Sequence, residues 1–261
     1  MKPVLLEFGT IVIPSYYTFI SLGMLLGIYV FYNYTKKANV LPVYAIDISL
    51  IVIISSYIGA RLFHILFEMP SYYLNNPLEV FAFWKGGFVI YGGILSPILF
   101  VYLYCRKKKI DFLLVTDLLA PSVAIGTALG RVACFMQGCC FGLPTSMPWG
   151  VVFPEGTNGG LTPSGISLHP TQIYMVLMNL VIFLVLYFRL KHKRFNGEIT
   201  YWYFILYPVG RSIVEFFRND YRGDLFDPYL STSQFISLLI FLLSTYILLR
   251  KYKQLYKRAH S

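Results

Sequence analysis

Gly126-Thr127-Ala128-Leu129-Gly130-Arg131-Val132-Ala133-Cys134-Phe135-Met136-Gln137-Gly138-Cys139-Cys140-Phe141-Gly142 joins an apolar segment, Leu118 to Leu129, to the longest polar and proline-containing region of the chain. One arginine, one amide, three thiols and four glycines gather at this junction. Glycine lets a backbone turn sharply and approach a ligand closely. An arginine where a hydrophobic segment ends loses solvation unless it faces a partner such as a carboxylate or a phosphate. A helix C-cap with a snorkelling arginine and small buried thiols accounts for Arg131 equally well. The cluster as a whole reads as a site.

Composition sets the frame for that junction. With 57% hydrophobic and 13% charged residues and a mean hydropathy of +0.62, the 261-residue chain is far from a soluble average. Met1 to Pro14 lacks the charged start, apolar core and small-residue cleavage site of a secretory leader, so the first hydrophobic segment is expected to be a retained span. The formal charge of +10 does not point to nucleic acid, because the basic residues cluster beside apolar segments, as membrane topology requires.

A helix needs about 20 mostly apolar residues to cross hydrocarbon. Seven stretches qualify, roughly 15–35, 45–67, 86–105, 112–130, 171–189, 199–217 and 233–250. The sequence therefore predicts an all-α polytopic membrane protein, a single domain over 1–261 with about seven transmembrane helices and a small extracytoplasmic head at 131–170. Fifteen of the 22 basic residues fall in four places: Lys36–Lys37, Arg106–Lys109, Arg189–Arg194 and Arg250–Arg258. All four lie on one side, which the positive-inside rule makes cytoplasmic. The N-terminus is then expected outside and the C-terminus in the cytoplasm. Glu68–Lys85, the Gly86–Gly93 stretch, the Arg131–His169 region and the Arg218–Pro228 loop all face outward. Four prolines between 143 and 168 suggest an ordered cap of short strands there. The cytoplasmic links read as anchors to anionic headgroups of membrane lipids.

Ionisable groups at membrane depth mark function by default. Arg61 sits midway in the second span, with His64 nearly a helical turn on. Arg211, Glu215 and Arg218, spaced four and three apart, share one helix face. A structural ion-pair ladder is one reading of that face. The other notes two arginines against one carboxylate, a surplus positive charge that lipid phosphate would neutralise. Asp117 and Asp47 read as interfacial residues near the cytoplasm. His169-Pro170-Thr171-Gln172 starts the fifth span, with Pro170 suited to a first helical turn and His169 and Gln172 directed toward the outer headgroups. The thiols Cys134, Cys139 and Cys140 lie on the side where oxidation is possible. They fit buried apolar fillers, a redox pair involving Cys134, or participants in chemistry activated by Arg131. No metal is expected, since a paired C-x-x-C is lacking and His169 is the one obvious fourth ligand.

These residues resemble the prolipoprotein diacylglyceryl transferases of bacterial inner membranes, over nearly the whole chain. Gly59-Ala60-Arg61-Leu62 and Tyr72-Tyr73-Leu74-Asn75-Asn76-Pro77-Leu78-Glu79 resemble that family's second span and outer loop. Trp84-Lys85-Gly86-Gly87 leading to Tyr91-Gly92-Gly93 resembles its W-x-G-G…H-G-G segment. Gly130-Arg131…Phe135…Gly138…Gly142 resembles its G-R-x-G-N-F-x-N-x-E-x-x-G signature. His169-Pro170-Thr171-Gln172-Ile173-Tyr174 and Arg211-Ser212-Ile213-Val214-Glu215-Phe216-Phe217-Arg218 match its H-P-[ST]-Q-x-Y-E and R-x-x-x-E-F-x-R.

The resemblance implies a multi-pass enzyme of the bacterial cytoplasmic membrane that needs no cofactor. Its partners are phosphatidylglycerol and the signal peptide of a prolipoprotein. The enzyme moves the diacylglyceryl group onto the lipobox cysteine and releases glycerol phosphate. Thiolate attack on a glycerol carbon requires cations on the leaving phosphate and a base for the thiol. Arg131 and Arg211 are implied for the phosphate, with Glu215 orienting an arginine or a water. Arg61, Gly92, Gly93, Gln137, His169, Gln172 and Arg218 are implied on the substrate-binding side. The departures from the family fall on the base side. Tyr91 replaces the histidine of H-G-G, Cys134 and Gln137 the two signature asparagines, Cys139 the signature glutamate, and Met175 the last glutamate of H-P-[ST]-Q-x-Y-E. Tyr91, Cys134 and Cys139 are then the candidates for proton acceptor. A lipid carried covalently on these cysteines is disfavoured, because a thioether is a poor leaving group. A paralogue with another acceptor, and a non-enzymatic lipid-binding or thiol-redox protein, are the alternatives.

Overall fold

The computed structural model describes residues 3–8, 11–218 and 232–259. Seven helices of 18 to 28 residues stand where the seven spans are expected: α1 (Ser15–Lys37), α2 (Pro42–Phe63), α4 (Ile90–Lys108), α5 (Phe112–Gln137), α6 (Thr171–Leu190), α7 (Glu198–Glu215) and α8 (Thr232–Ala259). A shorter helix, α3 (Pro70–Asn75), follows α2. Five of the seven are long and apolar enough to cross a membrane by length and composition. The other two carry more charge. Basic residues fill the last turn of α4, and α7 holds Glu198, Arg211 and Glu215 within 18 residues.

Two boundaries next to the motif residues differ from expectation, and α8 runs nine residues past the expected 250. The third span was expected from residue 86, yet α4 begins at Ile90, because Gly86 and Gly87 both take positive φ and cannot be helical. The fourth was expected to end at 130, yet α5 continues to Gln137, so Arg131 and Cys134 are helical residues one turn apart on the same face. The loop beyond Arg218 lies outside the described residues.

The chain divides into two compact units, Met1–Phe31 with Thr116–Ser261, and Tyr32–Val115. In the second of these, α2 and α4 pack through small residues. A Cβ on Gly59 would lie 2.0 Å from Ser96 Oγ, and one on Gly92 would lie 2.1 Å from the carbonyl oxygen of Gly59. Such close backbone approach gives apolar helices the van der Waals contact that holds them together in lipid. Tyr104 donates to the Asp47 carboxylate, joining the same two helices at their other end.

The larger unit opens with a hairpin of β1 (Val4–Phe8) and β2 (Ile11–Pro14), antiparallel and irregular between Val4 and Leu6. Next, α1 crosses α5 at Gly23 and Gly126, where a Cβ on either would come within 3.3 Å of the other's carbonyl oxygen. Ala120, Ala124, Ile182, Leu186 and Ile199 form a core of α5, α6 and α7, wrapped by Met178, Trp202 and Tyr203. Asp117, on α5, is fully buried and caps α7. Its carboxylate accepts from Gly197 N (2.8 Å), Thr200 N (2.9 Å) and Thr200 Oγ1 (3.0 Å), with Lys193 Nζ at 3.5 Å. Free N–H groups at a helix start and its positive dipole end both favour a carboxylate there, which gives Asp117 a structural role. Between α5 and α6, β3 (Val151–Val152) pairs with β4 (Ser167–Leu168), and Pro144 bridges Leu168. Short paired strands are therefore present within 143–168. Phe153 anchors them, buried against Phe135 and Phe141 with ring centroids 6.3 Å away in both pairs.

Candidate functional site

The end of α5 builds the site from backbone geometry. Gly138 takes φ +80°, its N–H reaches Phe135 O at 3.2 Å, and Cys139 N–H reaches Cys134 O at 3.1 Å. This is a Schellman motif, which brings the side chains three residues before and just after the cap into contact. Here those positions are Cys134 and Cys139, so two thiols meet where many helices place two apolar groups. Cys140 follows with φ +61°, unusual for a residue with a side chain. The three sulfurs all lie within 4.8 Å of one another, and all three cysteines are free thiols. Hydrogen bonds from the Cys134 and Cys139 thiols, and then the Arg218 and Arg131 guanidiniums, hold Cys140 well below the usual thiol range. The same hydrogen bonds, reinforced by burial, push Cys139 up. The arrangement favours one thiolate shared among three sulfurs. Tyr16, at the start of α1, lies within electrostatic reach of all three.

Three segments are stitched together behind this cap. Gly142 N donates to His169 O, His169 N to Leu143 O and Leu143 N to Phe217 O, each at 2.9 Å, while Gly142 bridges Arg218. Thr171 Oγ1 donates to Cys140 O and Gln172 Nε2 to Cys139 O, both at 2.7 Å. The start of α6 and the end of α7 are thereby fixed against the thiol turn. Gly142 must be glycine, since a Cβ would fall 2.2 Å from Phe217 O and 2.7 Å from Thr171 Cγ2. Arg211 and Arg218 are each 7% exposed, and Arg211 pairs with Glu215 one turn along α7. Gln137 is the last residue of α5 and is partly buried.

A cavity of about 600 Å³ opens beside this junction between α6 and α7, lined by Met178, Gly210, Ile213, Val214 and Phe217 among others. Its polar edge is a short relay. Trp149 Nε1 donates to Tyr174 Oη at 2.8 Å, and Tyr174 Oη lies 2.9 Å from His169 Nδ1. Tyr174 Oη thus joins the indole to the imidazole, accepting from Trp149 and sharing one hydrogen bond with His169 Nδ1. Trp149 and Tyr174 were not singled out from sequence. Tyr174 is part of the His169–Tyr174 motif, but its role depends on Trp149, which no spacing rule connects to it.

In the unit Tyr32–Val115, Arg61 is 3% exposed and its guanidinium is directed into its own loop. It donates to the carbonyls of Glu79 (2.7 Å), Ala82 (3.2 Å), Gly87 (3.4 Å), Val80 (3.5 Å) and Gly86, with the Tyr73 ring 5.3 Å from its Cζ. This geometry makes Arg61 the organiser of residues 79–87 rather than a free headgroup ligand. Beneath the same loop, His64 is buried between Tyr73 Oη (3.1 Å) and Glu68 (3.4 Å). Gly92 is explained by its contact with Gly59, and Gly93 makes ordinary contacts with Ser56 and Ala60. Tyr91 is exposed in the first turn of α4. Six of the sequence-derived candidates, Arg131, Cys134, Cys139, His169, Gln172 and Arg218, therefore converge around the thiol turn. The α7 pair Arg211–Glu215 lies in the same unit, and Arg61, Tyr91, Gly92 and Gly93 lie in the other.

The family model described as prolipoprotein diacylglyceryl transferase matches residues 3–250. A phosphatidylglycerol–prolipoprotein diacylglyceryl transferase of Clostridium tetani is 40% identical over 248 residues, covering 95% of this chain and 96% of the relative. One from Finegoldia magna is 34% identical, covering 91% of each chain. A protein of Clostridium perfringens, named as transferase 2 of the same activity, is 33% identical and covers 92% of this chain and 91% of its own. Match over almost the full length of chain and relatives alike places this protein in the prolipoprotein diacylglyceryl transferase family.

Proposed function

We propose that this protein is a membrane-embedded transferase that moves the diacylglyceryl group of phosphatidylglycerol onto the cysteine thiol of a prolipoprotein and releases glycerol phosphate. The observation that carries the reading is the gathering of Arg131 and Arg218 around a thiolate-forming turn, in the unit that also holds Arg211–Glu215 and an apolar cavity. The family match supports the same activity.

The chemistry follows from charge. Breaking the glycerol C–O bond leaves a negative charge on the departing phosphate oxygen. Preorganised guanidiniums in a water-poor setting stabilise that charge far more than water-exposed ones would. Arg131, Arg211 and Arg218 are the phosphate clamp, and Glu215 fixes the orientation of Arg211. The α6–α7 cavity suits apolar matter, either acyl chain or the hydrophobic part of the prolipoprotein signal peptide. His169 stands at the cavity's edge, and Gln172 has a buried Oε1 with no hydrogen-bond partner among the described residues. In the unit Tyr32–Val115, Arg61 holds the 79–87 loop in shape. The reaction takes place on the outer side of the bacterial cytoplasmic membrane, with residues 131–170 as the head, the N-terminus outside and the basic C-terminus inside.

Cells depleted of their own transferase test this directly. Expression of this chain is expected to restore the mobility shift and membrane retention of a reporter lipoprotein. Arg131→Ala and Arg211→Ala are expected to lower transfer in vitro on the order of 10²-fold. A chain that folds, inserts and yields no diacylglyceryl-peptide from phosphatidylglycerol would rule the reading out.

A further inference from the structure

The departures from the family pattern at Cys134 and Cys139 do not fall at random: with Cys140 they meet at one point. Adjacent thiolate ligands of a tetrahedral zinc ion, each at a zinc–sulfur distance of about 2.3 Å, stand roughly 3.8 Å apart. Three sulfurs already within 4.8 Å of one another approach that spacing with small side-chain rotations. The Schellman turn by itself brings Cys134 and Cys139 together, and Cys140 adds a third sulfur at the same point. The backbone enforces this convergence through the Schellman turn, the left-handed Cys140 and the two side-chain bonds to the carbonyls of Cys139 and Cys140. Arg131 and Arg218 supply positive charge next to Cys140, which offsets the surplus negative charge of three thiolates around a divalent ion. Zinc sites with three protein ligands keep a fourth position open for a reactant.

We propose that Cys134, Cys139 and Cys140 bind one zinc ion, whose open fourth position takes the acceptor thiol of the prolipoprotein. The proposal rests on the transferase reading above and supplies what the tyrosine and cysteine replacements remove, a means of deprotonating that thiol. A thiol bound to zinc loses its proton. That proton goes to solvent, and the bound sulfur attacks the glycerol carbon. The C–O bond to phosphate breaks, and its electron pair leaves on the phosphate oxygen held by the arginines. The product is a neutral thioether, a weaker zinc ligand than the thiolate, and it dissociates. Zinc keeps its charge throughout, and no oxidant or reductant is consumed. The placement also fits an in-line displacement, in which nucleophile and leaving phosphate occupy opposite ends of one carbon, so thiolate site and phosphate clamp must be neighbours.

The test uses the full chain in phosphatidylglycerol-containing nanodiscs. Elemental analysis is expected to find one zinc per chain, and zinc is expected to shield Cys134, Cys139 and Cys140 from a maleimide that labels them after chelation. Cadmium is expected to replace zinc with a sulfur-to-metal charge-transfer band, shifted by a lipobox peptide bearing cysteine and not by the same peptide with serine. Cys134→Ser, Cys139→Ser and Cys140→Ser are each expected to weaken cadmium binding more than tenfold, and Cys105→Ser is not. Where a serine variant fails to fold, thiol shielding in the unmodified chain decides. Chelation is expected to remove at least nine-tenths of the transfer rate, and zinc to restore it. A chain whose Cys134, Cys139 and Cys140 react equally with and without zinc, with no cadmium band and full transfer, overturns the metal site and leaves the transferase reading intact. Cadmium binding with an undiminished rate after chelation overturns the role of the fourth position. The band and its peptide-dependent shift are read without turnover, so absence of lipid product alone counts against the transferase reading.

Discussion

At the scale of single residues, the site depends on two glycines that the sequence offers without distinguishing them from their neighbours. Gly138 needs a positive φ, and Gly142 needs the absence of a Cβ. Adding one methyl at 142 drives it into Phe217 O, and backbone does not yield as a side-chain end does. We expect Gly142→Ala to destabilise the protein by about 1–3 kcal/mol, and to abolish transfer because the strand–helix stitching through His169 and Phe217 is lost. A lowered thermal midpoint of the purified chain together with lost activity checks this. A second expectation concerns Cys140. Its lowered thiol pKa means the thiolate persists as pH falls, so in chelated protein its alkylation should be nearly flat over about pH 6 to 8. An ordinary thiol speeds up about tenfold per pH unit there. Peptide mapping of maleimide-labelled protein across that range reads the difference, and a steep rise at Cys140 would contradict the shared-thiolate arrangement. The motif residues themselves were legible in the sequence, since arginines, amides and thiols at membrane depth stand out chemically. Their partners were not. Nothing in the spacing of Trp149 and Tyr174, or of Gly142 and Arg218, predicts that they touch.

Among the elements, the helices were legible because hydrophobic length alone specifies them, and their ends were legible only where a local breaker exists. The end of α5 shows the difference: Gly138 stops the helix, and the seven residues before it fall outside the expected span because Arg131 interrupts the apolar run. Asp117 and Arg61 show why buried charge is ambiguous in one dimension. Arg61 reads as an intramembrane ionisable group and Asp117 as an interfacial one, and both spend their hydrogen-bonding capacity chiefly on backbone. Removing Asp117 leaves the N-terminus of α7 without acceptors for Gly197 and Thr200. Asp117→Ala is expected to cost about 1–3 kcal/mol. Asn is an incomplete substitute, because one of its two terminal atoms donates where both carboxylate oxygens accept. Scanning fluorimetry of the two variants should show Asp117→Asn falling between Ala and the unmodified chain. For Arg61 the expectation is local. Arg61→Lys removes the planar fork that serves carbonyls 79 to 87, and an ammonium cannot reach that spread of acceptors. Hydrogen exchange should rise in that loop while α6 and α7 keep their protection.

For the molecule as a whole, two independent signals bear on how it sits in a bilayer, and they have different origins. One is apolar exposure. Leu238, Leu239, Leu242, Leu243, Tyr246 and Leu249 of α8 are all exposed large side chains, a face that hydrocarbon covers and water does not. The other is charge. Lys36–Lys37, Arg106–Lys109, Arg189–Arg194 and Arg250–Arg258 lie at the ends of α1, α4, α6 and α8, alternate helices of the seven long ones. Alternation of this kind is what a chain crossing seven times produces when the same side of the membrane receives every second connection. Apolar exposure identifies the membrane face but carries no sign, whereas basic residues are retained on the cytoplasmic side during insertion. The two signals together predict an outward N-terminus and an outward 143–168 cap. In a background with the four native cysteines replaced by serine, a single cysteine at Thr157 should react with a membrane-impermeant maleimide on intact spheroplasts, and one at His192 only after lysis. The head and the thiol turn share one continuous backbone, with Phe153 buried on Phe135 and Thr162 bonded to Gly138 O. Labelling at His192 in intact spheroplasts would therefore move the whole candidate site to the cytoplasmic face. There it could not meet a translocated signal peptide, and the proposed reaction would lose its acceptor.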